Sequence, residues 1–443
     1  MRRRARKGGG RQLELTIGRL GGRGDGIAAP GPALPDRPVF VPYALPGERV
    51  RVKLTGEHAG GLKAELLELI EPGPGRVEPP CPHFGRCGGC SLQHLKEADY
   101  VDWKQGLVAG ALARRGFDLK RDGIAVGALR RSVSNSRRRA ALELAHKRSG
   151  LVLGFHERQS HALVDLTTCL LLRPTLLALF EPLRALGAEL LGPGDLARLD
   201  LCETESGVDL LWRSATAPER EARERLSAFA EAQDLARLSW TPISRGEALP
   251  EPIVIRRPPQ IVFSGVPVTL PPGGFLQPSV AGEADLVAEV TRLLGEARGP
   301  VADLYAGCGT FSFALAEAPG RRVTAVEGDL ASTEALGAAA RAAGLGGRVT
   351  VERRDLAQRP LLPVELAPFE ALVFDPPRMG ARAQAAMIAE SALTRVVAVS
   401  CNLNSFARDA RILADGGFRL REITPVDQFP WSGHLELVAL FER

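Results

Sequence analysis

The sequence predicts an α/β protein with a doubly wound sheet in its carboxyl-terminal part and a small antiparallel β-barrel or sandwich near its amino terminus. Two patterns support this prediction. From residue 301 onward, short apolar segments alternate with segments of helical periodicity, which is typical of parallel strands covered by helices on both faces. Residues 12–70 instead repeat apolar side chains at every second position between glycine-rich turns, which is typical of short antiparallel strands.

The composition is that of a globular protein with several domains. The chain has 443 residues, of which 45% are hydrophobic and 25% charged, and this length is typical of about three domains. The 57 Lys and Arg residues exceed the 52 Asp and Glu residues, and the net charge of +5 is compatible with a nucleic-acid partner. No apolar run is long enough to span a membrane, and none follows the basic amino terminus, so we expect neither a membrane segment nor a secretory signal. Seven cysteines are too few for a disulfide scaffold and indicate a reducing compartment.

Changes in patterning divide the chain into predicted domains. A proline- and glycine-rich segment at 71–80 cannot be helical and is typical of a linker, and a second proline-rich stretch lies at 250–259. Between them, helical periodicity mixes with short strands, which predicts an α+β domain. The predicted divisions are a basic tail at 1–11, the barrel at 12–70, the central domain at 71–260 and the α/β domain at 261–443.

A glycine-rich turn follows the first strand of the α/β domain. The predicted strand at 301–305 leads through Gly307 and Gly309 into a helix, so the backbone of the turn can approach a ligand closely. Glu327 ends the next predicted strand, where a carboxylate can accept the ribose hydroxyls of a nucleoside. The third glycine of a dinucleotide fingerprint is missing, which favours a nucleoside without a pyrophosphate, most commonly S-adenosylmethionine. The alternative is an ordinary tight turn.

Further reactive side chains follow the later strands of this domain. Asp355 and Asp375 each follow a predicted strand, and Cys401 follows the strand at 396–399. Because open α/β sheets bind ligands at the carboxyl ends of their strands, we expect these side chains to share one rim with Glu327. A free cysteine is more often a small buried apolar residue, but this position favours a chemical role.

The segment Phe-Asp-Pro-Pro-Arg at 374–378 resembles the active-site strand end of methyltransferases that act on nucleic-acid bases. It ends in arginine where enzymes that methylate exocyclic amines have an aromatic ring, which argues against methylation of such an amine. Methylation of carbon 5 of uracil requires a thiolate that adds at carbon 6 and a base that later removes the carbon-5 proton. Cys401 and Glu436 would supply these two groups, although Glu436 could equally be an ordinary solvated strand residue.

Three cysteines lie close together at the start of the central domain. Cys81, Cys87 and Cys90 place three thiolates around one turn, which requires a shared cation. Cys169 is the best candidate for a fourth ligand. A site of four cysteines holds either an iron–sulfur cluster or a structural zinc ion, and the spacing does not distinguish between the two metals.

Taken together, these motifs resemble the RNA 5-methyluridine methyltransferase family, iron–sulfur enzymes that methylate uridine in ribosomal or transfer RNA. The resemblance covers nearly the whole chain and is most specific at the cysteine motif 81–90 and at Ser400-Cys401-Asn402. It implies a Rossmann-like class I methyltransferase domain at the carboxyl terminus. It also implies that the amino-terminal barrel is a TRAM domain, an OB-like barrel that binds RNA.

The resemblance implies roles for individual residues. It identifies Cys401 with the nucleophile and Glu436 with the base that removes the proton. It implies a [4Fe-4S] cluster, rather than zinc, bound by Cys81, Cys87, Cys90 and Cys169. The implied contacts with S-adenosylmethionine are Gln277, Tyr305, Thr310, Glu327, Asp355 and Asp375.

The implied partner is an RNA loop that contains the target uridine, in ribosomal RNA or, next in preference, in transfer RNA. A uridine in a loop can be flipped out of its stack at low cost, and basic residues can then bind the neighbouring phosphates. We expect a cytoplasmic monomer that contacts no membrane and needs no protein partner. The basic residues expected to bind phosphates, besides those of the barrel, are Arg130, Arg131, Arg137, Arg138 and Arg139.

Two other functions fit parts of the sequence. One is an RNA-binding scaffold with a structural metal and an inactive methyltransferase fold, against which the presence of Cys401, Asp375 and Glu436 argues. The other is a methyltransferase that acts on a protein or a small molecule, which the amino-terminal barrel disfavours.

Overall fold

We describe the chain from a computed structural model, which describes residues 11–29, 37–58, 60–243 and 248–443. The basic tail predicted at 1–11 lies outside the described residues except for Arg11. The chain forms two compact units. The first contains the residues up to Leu107 together with Trp431–His434, and the second contains Val108–Pro430 and Leu435–Arg443.

A closed five-stranded barrel forms most of the first unit. Its strands are β1 (Gln12–Leu20), β2 (Gly26–Ala28), β3 (Val39–Val41), β4 (Arg49–His58) and β5 (Gly61–Glu71). They pair in the order β1-β2-β3-β5-β4. Leu15 and Ile17 of β1 and Val50 and Val52 of β4 are buried inside the barrel, whereas polar residues between them face outward. The period of two in the sequence thus produces the inside and the outside of a barrel.

The cysteine segment belongs to the first unit as well. Residues 72–96 run through turns and lead into α1 (Glu97–Ala113). Leu45, Leu92, Leu95 and Tyr100 form a small apolar core beside these turns. This core, rather than a long helix or strand, stabilises the loop that carries the cysteines.

The second unit contains a sheet of seven described strands. The first two strands of this unit along the chain, β6 (Ala125–Val126) and β7 (Arg130–Arg131), belong to the other large sheet, which is described below. The following elements are β8 (Arg139–Lys147), β9 (Gly150–His156), β10 (Leu163–Asp165), α2 (Pro174–Leu177), α3 (Phe180–Leu190), β11 (Leu196–Thr204), β12 (Gly207–Ser214), α4 (Arg220–Ala232), β13 (Arg237–Pro242) and β14 (Glu251–Ile255). The strands pair in the order β10-β9-β8-β11-β12-β13-β14 and are antiparallel except at the β12–β13 pair.

The doubly wound sheet follows a short hairpin and a helix. The elements of this part are β15 (Gln260–Phe263), β16 (Val266–Thr269), α5 (Val280–Leu294), β17 (Val301–Leu304), α6 (Thr310–Ala316), β18 (Val323–Glu327), α7 (Leu330–Ala342), β19 (Val349–Arg353), α8 (Pro363–Leu366), β20 (Ala371–Phe374), α9 (Arg382–Glu390), β21 (Arg395–Ser400), α10 (Leu403–Asp415), β22 (Arg419–Asp427) and β23 (Glu436–Glu442). The sheet has the order β19-β18-β17-β20-β21-β23-β22-β6, and β7 pairs with β22 as well. The first five strands of this order are parallel, and β23 lies antiparallel between β21 and β22.

Helices cover both faces of this sheet, which confirms the predicted fold class. On one face, Val301, Val373 and Val397 pack against residues of α5, α6 and α7. On the other face, Leu372 and Val396 pack against residues of α9 and α10. Consecutive strand residues face opposite cores, so the strands are apolar on both sides, as the sequence pattern predicts. Within the described ranges, no helix combines the length and the apolar character that a membrane crossing would need.

Candidate active site

The strand order of the sheet reverses between β17 and β20, which are neighbours in the sheet although β18 and β19 separate them in the chain. In open α/β sheets such a reversal opens a crevice at the carboxyl ends of the two strands, where ligands bind. Tyr305 follows β17, Asp375 follows β20, and Cys401 follows the adjacent β21. The structure therefore brings these three residues to one rim of the sheet.

Glu327, at the end of β18, is hydrogen-bonded to the glycine-rich loop. One carboxylate oxygen accepts the N–H of Gly307 at 3.0 Å. The other accepts the N–H groups of Gly328 and Asp329 at 2.7 and 2.8 Å. Because a carboxylate can accept about four hydrogen bonds, Glu327 keeps the capacity to accept a ribose hydroxyl while the loop holds it in place.

The backbone of the glycine-rich loop leaves room for a ligand. Gly307 has a φ of 56°, and a Cβ added there would meet no atom within 4 Å. Gly309 has a φ of 102°, and a Cβ there would lie 2.6 Å from the Phe313 ring, so this glycine allows close packing of α6. Tyr305 has a φ of 62°, an uncommon conformation for a residue other than glycine and one that is often found at ligand sites. These residues fit a nucleoside that approaches the backbone.

Asp303, within β17, is fully buried beneath this loop and was not assigned a role from the sequence. One of its oxygens accepts the Ser312 hydroxyl at 2.5 Å, and the other has no partner in the described part of the chain. Burial raises the pKa of Asp303 to about 7, with a contribution from the charge of Glu327. The sequence around Asp303 does not indicate that its side chain is buried without a second hydrogen-bond partner in the described ranges, because this depends on packing in the folded protein.

Thr310 and Asp355 lie closer to solvent. Thr310 is half-buried at the start of α6. Asp355 is exposed after β19, where its carboxylate accepts the N–H of Ala357 at 2.9 Å. A Cβ added to Gly328 would lie 3.5 Å from the Cα of Asp355, so the loops after β18 and β19 are in contact. Asp355 therefore lies beside the loop that holds Glu327.

Cys401 is half-buried in a turn that Asn402 anchors. The Asn402 side-chain oxygen accepts the N–H groups of Asn404 and Ser405 at 3.0 and 3.4 Å and so caps α10. Its amide group donates to the carbonyl of Arg378 at 3.1 Å. These contacts join the cysteine turn to the Asp-Pro-Pro-Arg segment.

The electrostatic surroundings of Cys401 favour the neutral thiol. Burial raises the pKa of the Cys401 thiol to about 11, and the charges of Asp375 and Glu436 contribute to this rise, whereas Arg378 lowers it. Burial also raises the pKa of Asp375 well above its usual value, followed by the effects of Glu436 and Asp303. On this rim, ionisation of one acidic group therefore raises the pKa of its neighbours, as is typical of sites that transfer protons.

Glu436 lies beside Cys401 across the β21–β23 pair. Ser400 pairs with Leu437 in an antiparallel register, so Cys401 and Glu436 occupy the next position along the two strands. Facing residues of neighbouring strands have their side chains about 5 Å apart. Glu436 is 4% exposed, and burial raises its pKa to about 7. A carboxyl with this pKa can exchange a proton near neutral pH.

A buried amide connects Glu436 to Gln277. Gln428, which follows β22, donates from Nε2 to the Glu436 carboxylate and, at 3.0 Å, to Oε1 of Gln277. All three side chains are buried. The sequence analysis missed Gln428 because an isolated glutamine next to a strand belongs to no chemical motif.

Arg138 has a structural role and is not available for RNA phosphates. It is 5% exposed, and its guanidinium donates to Glu283 at 2.6 Å and to the Gln277 carbonyl at 3.0 Å. Arg139 also donates to a backbone carbonyl, that of Leu276. The prediction that Arg138 binds phosphate is wrong because its charge is neutralised inside the protein, where it supports the segment that carries Gln277.

The four cysteines predicted to bind a metal are all half-buried. Cys81, Cys87 and Cys90 belong to the first unit and Cys169 to the second. The N–H of Gly89 lies 3.4 Å from the Cys87 sulfur, a contact of the kind that tunes thiolate ligands. Across the described ranges, no three Cys, His, Asp or Glu side chains converge on a point that could hold a metal ion. The donor types suit iron–sulfur or zinc.

Comparisons with known proteins relate the chain to RNA methyltransferases. It is 42% identical over 431 residues to an uncharacterized RNA methyltransferase of Brucella suis, which covers 97% of this chain and 98% of that protein. It is 35% identical over 442 residues to a 23S rRNA (uracil(1939)-C(5))-methyltransferase of Chromohalobacter salexigens, and this alignment covers 97% of this chain and 89% of that protein. No family model matches.

A solved structure shares the fold over almost the whole chain. The tRNA (uracil-54, C5)-methyltransferase of Pyrococcus abyssi, in complex with S-adenosyl-L-homocysteine, superposes with a TM-score of 0.73 at 21% identity. The match covers 97% of this chain and 100% of that one. At this identity the match establishes the fold, while the two closer sequence relatives establish the kinship. The chain therefore belongs to the family of S-adenosylmethionine-dependent RNA uracil-C5 methyltransferases.

Proposed function

We propose that this protein transfers a methyl group from S-adenosylmethionine to carbon 5 of a specific uridine in RNA. The observation that carries the proposal is the position of Cys401 beside the buried carboxyl of Glu436 on the rim that also holds Asp375. A thiol and a carboxyl that titrates near neutrality are the two groups that methylation of a pyrimidine carbon requires. Membership of the family supports the same reaction.

In the proposed mechanism, the Cys401 thiol loses its proton to solvent, and the resulting thiolate adds to carbon 6 of the uracil. A sulfur–carbon bond forms, and the electrons of the ring double bond move toward the carbonyl at position 4, which makes carbon 5 nucleophilic. Bound S-adenosylmethionine supplies the electrophilic methyl group. Glu436 then removes the proton from carbon 5, the double bond forms again, and the Cys401 thiolate leaves.

We infer that residues around the glycine-rich loop hold S-adenosylmethionine. Glu327 would accept a ribose hydroxyl, since its carboxylate is already oriented by Gly307 and Gly328. The open space at Gly307 and the position of Asp355 beside the same loop support this assignment. The full proposed set is Gln277, Tyr305, Thr310, Glu327, Asp355 and Asp375.

We favour ribosomal RNA as the substrate, with transfer RNA next. The relative named as a 23S rRNA methyltransferase is 35% identical to this chain, whereas the structure named as a tRNA methyltransferase is 21% identical. In either RNA the target base must leave its stack to reach Cys401, which costs a few kcal/mol and least in a loop. A monomeric state and a cytoplasmic location stay predictions.

We also propose that Cys81, Cys87, Cys90 and Cys169 bind a [4Fe-4S] cluster with a structural role. The four half-buried cysteines and the Gly89 contact with Cys87 support the proposal, and no step of the mechanism needs an electron. Protein purified without oxygen should contain iron and acid-labile sulfide, and Cys169→Ser should lower both. Zinc without sulfide would instead identify a four-cysteine zinc site.

Tritium release from RNA labelled at carbon 5 of uridine tests the reaction, since each turnover exchanges that hydrogen for methyl. We expect release with the intact protein and none with Cys401→Ala. Mass-spectrometric mapping of 5-methyluridine in RNA from cells that lack the protein would identify the substrate. RNA binding without methylation or tritium release would overturn the proposal and favour a scaffold.

A further inference from the structure

We propose that Gln428 is a positioning residue that aligns the Glu436 carboxylate with Gln277 and keeps that carboxylate ready to accept a proton. The inference rests on the proposed function, because it takes Glu436 as the base. Gln428 is not one of the residues that react in the proposed mechanism and would act through Glu436.

The geometry of the amide supports this role. Nε2 of Gln428 carries two hydrogens, and its two acceptors are an oxygen of Glu436 and Oε1 of Gln277, the latter at 3.0 Å. The planar amide of Gln428 therefore sets the distance and orientation between Gln277, which precedes α5, and Glu436 of β23. An amide turned over by 180° would point its oxygen at the Glu436 carboxylate and lose both bonds, so the contacts also determine the orientation.

Close packing holds the glutamine in this place. Gln428 is 3% exposed. A Cβ added to Gly282, in the first turn of α5, would lie 2.4 Å from both Cγ and Oε1 of Gln428. The absence of a side chain at Gly282 thus makes room for the amide. Oε1 of Gln428 has no hydrogen-bond partner among the described residues, a cost in stability that a purely structural glutamine would not require.

The charges around Glu436 explain why it needs a donor. Asp375 at the end of β20, Cys401 after β21 and Asp427 of β22 are all acids, and none of them favours a second negative charge nearby. Burial raises the pKa of Glu436 to about 7, and the hydrogen bond from Gln428 lowers it. Without this bond the pKa of Glu436 would rise, and less of the side chain would be ionised at neutral pH.

The expected effect appears in the step that removes the proton. Proton removal requires the ionised form of Glu436, so its rate falls as the pH drops below the pKa of that group. This fall is the acidic limb of the pH–rate profile. Loss of the Gln428 donor raises the pKa of Glu436 and so moves the acidic limb to higher pH. The covalent bond between Cys401 and RNA still forms but resolves more slowly, so the adduct accumulates.

The experiment compares Gln428→Met with Gln384→Met in the full chain. Gln384 is a matched control, since it is also a buried amide but lies in α9 and bonds the backbone of Leu361. For Gln428→Met we expect the acidic limb of tritium release to move up by about one pH unit and kcat at pH 7 to fall about 5-fold. Gln384→Met should leave the limb unchanged.

RNA that contains 5-fluorouridine separates the base step from the earlier ones. Fluorine cannot leave as a cation, so the covalent adduct forms without any need for proton removal. Gln428→Met should therefore form this adduct as well as the intact protein does, while it accumulates adduct on ordinary RNA. Gly282→Ala, which pushes on an intact Gln428, should move the acidic limb in the same direction.

An unchanged pH limb in Gln428→Met would overturn the inference, as would a loss of the 5-fluorouridine adduct together with turnover, which marks general damage to the site. If Gln428→Met fails to fold in thermal melts, Gly282→Ala supplies the same decision. Absence of any Cys401-dependent adduct with the intact protein would have a different meaning. It would overturn the covalent mechanism itself, and this inference with it.

Discussion

The amide of Asn402 donates a hydrogen bond to the carbonyl of Arg378 at 3.1 Å, while its oxygen caps α10. The hydroxyl of Ser405, in the first turn of the helix, donates to the same carbonyl at 3.1 Å. The turn that carries Cys401 is thus attached to the neighbouring strand end before any ligand binds. Such attachment lowers the cost of bringing a nucleophile and its target together.

Asn402→Ala should remove both the cap and the amide hydrogen bond to Arg378. We expect a loss of about 1 kcal/mol in the free energy of unfolding, typical of a lost N-cap, together with a reduced kcat. Asn402→Ser is the matched variant, because it keeps a capping oxygen but cannot donate an amide to Arg378. Tritium release measures kcat and urea unfolding measures stability. A wild-type kcat in Asn402→Ser would show that the amide hydrogen bond to the Arg378 carbonyl is dispensable.

Cys401→Ala should abolish methylation while S-adenosylmethionine still binds. The proposed mechanism requires the thiol for addition at carbon 6, whereas the loops proposed to hold S-adenosylmethionine follow β17 and β18. Calorimetric titration with S-adenosylmethionine should give a Kd within about twofold of the intact protein, since none of the proposed ribose contacts changes. Residual methylation of RNA by this variant would rule out a covalent role for Cys401.

Glu436→Gln should trap a covalent complex between protein and RNA. The amide keeps the size of the carboxyl but cannot accept the carbon-5 proton, so the step that releases Cys401 stops. In the intact protein the pKa of Glu436 is about 7, and adduct resolution should therefore rise about 10-fold per pH unit below that value and level off above it. Denaturing gels of reactions quenched over a pH series measure both effects. A Glu436→Gln protein that turns over normally would exclude the base role.

Gly307→Ala should weaken S-adenosylmethionine binding more than it weakens the fold. Gly307 and Gly320 both have positive φ, at 56° and 78°, and a Cβ at either would meet no atom within 4 Å. Alanine should cost each site a similar backbone strain of about 1 kcal/mol. Of these two glycines, only Gly307 lies in the loop that contacts Glu327, where an added methyl group would enter the space proposed for the cofactor, so only Gly307→Ala should raise the Kd. Equal Kd values for the two variants would place the cofactor away from this loop.

Arg138→Met should destabilise the protein without changing the salt dependence of RNA binding. The variant leaves Glu283 buried and uncompensated, which costs about 3–5 kcal/mol, whereas replacing both partners by apolar residues should recover much of this loss. Arg148→Ala, at an exposed position between β8 and β9, is the stability control. A lower slope of log affinity against log salt in Arg138→Met would mean that Arg138 does contact phosphate.

The sequence by itself was sufficient for features that lie within one strand and the turn after it. The positive-φ glycines at 307 and 309, the carboxylate of Glu327 and the strand-end position of Cys401 each follow from a few neighbouring residues, whose patterns also predicted the doubly wound sheet. Local periodicity carries this information because a strand or helix determines which of its own residues face the core.

Only the tertiary structure decided which of these local features meet. The bond between Gln277 and Gln428 joins residues 151 positions apart, and the contact of Gly282 with Gln428 spans a similar distance. The edge of the sheet formed by β22, β6 and β7 was not predicted, and the burial of Arg138 contradicted its predicted role. These relations depend on strand order and register, which are set by packing across the whole domain and leave no periodic trace in any one segment.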